Sequence, residues 1–147
     1  MKITLFFEVA KIQKSSKFNR YYIFLALYII GIFSLSSIPP SDIPEVNFWF
    51  PIDKVVHFLE YGIFGFLLTK AFLNSSKSLS KWLQIKVALK VILIAMVIGA
   101  IDESYQFLTK RNPSIYDWFA DVIGATTFMI FTFIFSKSYR HRKYRSK

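Results

Sequence analysis

His57, Glu60, Asp102, Glu103 and Asp121 are the residues of this chain whose types suit chemistry. An imidazole takes or gives a proton near neutral pH, and a carboxylate can orient it or share the proton. Lys54, Tyr61, Gln106, Arg111 and Asp117 lie close to them in sequence. Lys54 offers a point charge and Arg111 a planar fork, and both suit the phosphate of a lipid headgroup. One His among several carboxylates also suits a divalent metal with oxygen-rich ligands. The tight His spacing of zinc sites is missing, so the pattern names no metal and no cofactor. No Ser occupies a recognisable nucleophile motif. The chain has no Cys, which excludes thiol catalysis, thiolate metal sites and disulfides.

Spacing orders these groups. Lys54, His57 and Tyr61 follow i, i+3, i+7, and Phe64 and Leu68 extend the same helical stripe. Asp102 and Gln106 are i, i+4, with Gly99 one turn below. Glu103 points about 100° away from Asp102 and so toward a different neighbour. Asp117, Asp121 and Gly124 share a third face.

The elements that carry these faces read as membrane spans. The chain has 147 residues, of which 54% are hydrophobic and 17 are Phe. Its mean hydropathy is +0.39. That is more apolar surface than a soluble core of this size needs. Apolar runs cover roughly 21–38, 55–73, 87–108 and 118–136, each near the length that crosses a core about 30 Å thick. None keeps a period of two, which argues against a barrel. The expected fold is all-α: a polytopic bundle of four transmembrane helices. It divides into a basic N-terminal segment, 1–20, a membrane domain, 21–136, and a basic tail, 137–147. The first run is read as a retained helix rather than a cleaved signal, because its leader is long and no small-x-small site follows.

Charge sets the expected orientation. Of the Lys and Arg residues, only Lys54, Lys110 and Arg111 lie on one side of these spans. The positive-inside rule then places both termini in the cytoplasm. The same distribution explains the net charge of +10 as a topology signal held by anionic lipid, with no call for nucleic acid. Glu8 is the one acidic residue expected on the cytoplasmic side. Asp53, Glu60, Asp102, Glu103, Asp117 and Asp121 fall at the outer ends of spans two, three and four, within about 10 Å of the interface at 1.5 Å per residue.

An ionisable group at the bilayer centre costs about 2.5–3.5 kcal/mol on insertion scales. Several on three helices must therefore face one another or water. Arg111 is expected to reach Asp102, Asp117 or Asp121, and Lys54 to reach Glu60 or Glu103. Plainer roles compete. Buried pairs can simply fix helix register, Asp53 and Asp117 can be helix caps, and Lys54, Gln106 and Gly124 can be structural.

"DKVVHFLEYGIFGFLL" followed by "DESYQFLTKRNPSIYDWFADVIGA" resembles the VanZ-like membrane family, named for a protein linked to teicoplanin resistance. The family pattern pairs Lys, His and Tyr on one helix with Asp-Glu-x-x-Gln, an Arg, and Asp-x-x-Ala-Asn-x-x-Gly. The matching positions are Lys54, His57, Tyr61, Asp102, Glu103, Gln106, Arg111, Asp117, Ala120, Asp121 and Gly124. Lys110 stands where members often have Gly, and Asp121 where many have Asn. The resemblance implies a multi-pass cell-membrane protein with an envelope role and reduced sensitivity to a lipoglycopeptide. Three functions fit. The outward pocket binds an envelope lipid headgroup, a precursor or the glycopeptide. A metal-dependent or acid/base enzyme modifies such a headgroup. A small oligomeric transporter subunit is the third, although the polar stripe ends halfway down the helix.

Overall fold

The computed structural model describes residues 19–39, 52–74 and 79–145, with side chains as far as residue 136. The described chain forms four helices: α1 (Arg20–Ser36), α2 (Ile52–Leu73), α3 (Lys81–Leu108) and α4 (Ile115–Arg145). Among the described residues there is no strand. Most of the basic N-terminal segment expected at 1–20 lies outside the described residues.

Three helices, α2, α3 and the 115–136 part of α4, are long and apolar enough to cross a membrane. α1 is apolar but shorter, at 17 residues. α3 and α4 both run further than the apolar segments alone, starting at Lys81 and ending at Arg145 respectively. Apolarity marks only the part suited to lipid, whereas backbone hydrogen bonding continues through polar residues. At 31 residues α4 is about 46 Å long, well beyond the hydrocarbon thickness.

Contacts between side chains give the direction of each helix. Asn19 donates to the Ala71 carbonyl and the Tyr28 hydroxyl to the Glu60 carbonyl, so α1 and α2 run antiparallel. Trp118 donates to the Met96 carbonyl, and Ser114 pairs with Glu103, so α3 and α4 are antiparallel. Lys54 meets Asp117 and His57 meets Asp121, which makes α2 and α4 parallel. The end of α1, the start of α2, the end of α3 and the start of α4 therefore share one end of the bundle.

The core is apolar below that end. Tyr61, Phe64 and Leu68 of α2 pack with Val91 and Ala95 of α3 and Ala125 and Met129 of α4. The buried hydroxyls of Thr69 and Thr132 bond back to carbonyls of their own helices. Outward-facing Leu27, Ile30, Leu89, Leu93, Ile130 and Phe135 form an apolar exterior suited to acyl chains. The closest approach is between α2 and α4. A Cβ on Gly65 would overlap the backbone of Ala125, and one on Gly124 the backbone of Phe58. Small residues at such crossings let helix backbones touch.

α3 ends in a left-handed turn. The Arg111 amide bonds the Gln106 carbonyl and the Lys110 amide the Phe107 carbonyl, the paired pattern that closes many helices. Lys110 carries φ 61°, a conformation that favours glycine. This chain makes the turn with a lysine in place of a glycine. Lys110→Gly is expected to stabilise the protein by about 0.5–1 kcal/mol, because the left-handed penalty disappears. Thermal melting of the two proteins in the same detergent checks this, and an unchanged or lower melting point would contradict the strained turn.

Candidate functional site

Polar side chains converge at the shared end from all four helices. α2 supplies His57 one turn inside its start, and α4 supplies Asp121. Their Nδ1 and Oδ1 atoms lie 3.0 Å apart and both side chains are buried. α3 supplies Asp102 and Glu103, which leave the helix in different directions. Asp102 accepts from the Ser36 hydroxyl of α1 at 2.5 Å and from Gln106 at 3.4 Å. Glu103 accepts from the backbone amide of Ser114 at 2.7 Å, just ahead of α4. One carboxylate thus looks toward α1 and its neighbour toward α4, as the 100° step between adjacent residues requires.

Above this layer lies a ring of partly exposed ion pairs. Lys54 Nζ sits 2.8 Å from Asp117 Oδ1. Arg111 Nη2 is 3.9 Å from Asp53 Oδ1. Both pairings differ from the expectation. Arg111 does not fork onto Asp102, Asp117 or Asp121, because the left-handed turn after α3 directs the chain toward the start of α2. Lys54 meets Asp117 rather than Glu60 or Glu103, because the parallel register of α2 and α4 places Asp117 directly opposite. Nor is Asp117 a helix cap. The amides of Asp117 and Trp118 both bond the Ser114 carbonyl, so Ser114 holds that position and Asp117 is the third helical residue.

The remaining candidates divide. Tyr61 is completely buried one turn below His57. Glu60 lies on the α1 side of α2, half-buried, and among the described residues its carboxylate makes no hydrogen bond. Gln106 supports Asp102. Ser36, and with it the whole contribution of α1, is not among the residues that helical spacing picks out. The signal was the "SLSS" run closing the first apolar segment, since hydroxyls there can serve a buried carboxylate. Ser36 also receives, through its carbonyl, the hydroxyl of Thr109, and Ser37 meets the Tyr105 hydroxyl at 2.9 Å.

Among the described residues, three buried polar atoms in or beside the layer find no hydrogen-bond partner: the Tyr61 hydroxyl, Glu103 Oε1 and Asp121 Oδ2. Beside Glu103 a cleft of about 290 Å³ opens between α3 and α4. Ala100, Glu103, Pro113, Ser114, Ile115 and Trp118 line it, so its walls are chiefly apolar with one acidic edge.

A helical bundle of membrane-spanning character, with a buried charged layer at one end, is the class these observations define. The chain matches the VanZ/LLP1 family over residues 1–136 and belongs to that family. No curated protein and no solved structure matches it.

Proposed function

We propose that this protein crosses the cell membrane four times, with both termini cytoplasmic and the charged layer facing outward, and that the layer binds the phosphate-bearing headgroup of an envelope lipid or lipid-linked precursor. The observation that carries this reading is the layer itself. Three helices bring buried His57, Asp102, Glu103 and Asp121 to one end, with Ser36 of α1 on Asp102, and Arg111 stands at the mouth with one long ion pair among the described residues. Several of its donors remain for a phosphate. The apolar cleft beside Glu103 would take the attached hydrocarbon. The opposite end supports the orientation: Lys70, Lys86 and Lys90 lie there against aromatic rings, in the manner of an interfacial belt. A glycopeptide is a second ligand of the same polar and apolar kind, and altered sensitivity to it is the phenotype that family membership leads one to seek.

Acid–base catalysis on the same headgroup is the second reading, favoured by the buried His57–Asp121 pair. The apolar core below Tyr61 argues against a transport path.

Lipids retained by the protein purified in mild detergent test the first reading. One phosphate-bearing lipid should be enriched over the bulk membrane, and Arg111→Ala should weaken its retention about tenfold, the scale of one charge-assisted hydrogen bond. Retention of bulk lipid only, or equal retention by the variant, would refute it. The orientation is tested separately, since the chain lacks Cys. Thr109→Cys should react with an impermeant thiol reagent added outside and Ser78→Cys should not; the reverse pattern would invert the topology.

A further inference from the structure

We propose that His57, Glu103 and Asp121 form a binding site for a first-row divalent cation of the manganese or zinc kind, set in the floor of the outward layer. One ligand atom from each of the three lies within 4.8 Å of the others, and all three residues are buried. They come from α2, α3 and α4, so the site exists only when the bundle is assembled. A first-row ion about 2.1 Å from each ligand separates adjacent octahedral ligand atoms by about 3.0 Å. In the structure His57 Nδ1 and Asp121 Oδ1 hold each other at 3.0 Å, a spacing that an ion taking the place of their hydrogen bond would keep.

The unpartnered atoms are the independent sign. Asp121 is wholly buried, yet its Oδ2 has no partner among the described residues, and Glu103 Oε1 is in the same state. A buried carboxylate oxygen without a hydrogen bond is costly, and a cation removes that cost at both residues together. Two carboxylates also balance the ion's two charges while the imidazole stays neutral. The third orphan, the Tyr61 hydroxyl, is on the same α2 stripe one turn below His57, and it is buried and able to donate to an oxygen ligand or to a water on the ion. One nitrogen with two oxygens suits borderline ions such as Mn²⁺ and Zn²⁺ better than Ca²⁺.

A second cluster, Asp53, His57 and Asp117, is close enough for an ion as well. It is the poorer site. Asp117 already holds Lys54, and Asp53 is exposed and faces Arg111. The two clusters share His57 and are distinguished by their carboxylates.

The proposal rests on the outward layer described above, and metal is measured without lipid so that each reading can fail alone. Detergent-purified protein is stripped with a chelator and loaded with Mn²⁺. Expected are one ion per chain and an electron-spin-echo modulation from one imidazole nitrogen. Both are read on the unaltered protein, so neither depends on a variant folding. Glu103→Gln should lower affinity by at least about tenfold, since even supporting residues cost that much. Asp53→Asn should bind as the parent does. Absence of stoichiometric Mn²⁺, absence of nitrogen coupling, or normal binding by Glu103→Gln would overturn the site. Equal loss in Asp53→Asn would move the ion to the mouth, which also overturns it.

Discussion

Asp121→Ala is expected to lower stability by about 3–5 kcal/mol, the usual result of removing one member of a buried charged pair. The side chain is fully buried, and its loss leaves the His57 Nδ1 without its partner. His57→Ala should cost a similar amount from the other side, since it strands a carboxylate that already has one unpartnered oxygen. The informative comparison is the double variant His57→Leu with Asp121→Leu. Replacing both members by apolar residues removes the desolvation penalty along with the attraction, so much of the loss should return. Unfolding in increasing SDS, followed by circular dichroism, gives all four values. A single variant as stable as the parent would show that the pair is not formed. Should the double variant recover stability while losing Mn²⁺ and the retained lipid, the pair serves binding rather than architecture.

The second large effect is expected at Gly124. A methyl group there would overlap the Phe58 carbonyl, and a backbone cannot rotate aside as a side chain can. α2 and α4 would have to separate. Overpacked cores lose about 1–3 kcal/mol, and Gly124→Ala should lie at or above the top of that range. Separation would also pull apart Lys54 from Asp117 and His57 from Asp121, which span the same interface. Gly31→Ala is the comparison, because nothing lies within 4 Å of the added atom. It should change stability by less than about 1 kcal/mol, the scale of helix propensity. Resistance to trypsin in detergent, together with the SDS midpoint, measures both. Equal behaviour of the two variants would mean that the close crossing of α2 and α4 is absent.

Which residues face inward was legible in the sequence. His57, Tyr61, Phe64 and Leu68 are all buried on one stripe, and Gly99, Asp102 and Gln106 on another, because a helix fixes those angles locally. The direction of Glu103 followed from the same rule. Choice of partner was much less legible. It depends on the register between helices, which periodicity within one helix does not encode. Lys54 meets Asp117 through the parallel packing of α2 on α4, and that packing is set by Gly65 and Gly124. Arg111 meets Asp53 through a left-handed turn at Lys110, which the residue type does not advertise. The "SLSS" run was too weak a signal to mark Ser36, for another reason. A serine is too common near helix ends to point to a buried carboxylate 66 residues away.

Glu103 divides its carboxylate between two tasks. One oxygen grips the Ser114 amide where α4 begins, and the other faces the interior unpaired. An ion or donor on the second oxygen would draw electron density from the first, so the exchange rate of the Ser114 amide proton should report whether that oxygen is occupied.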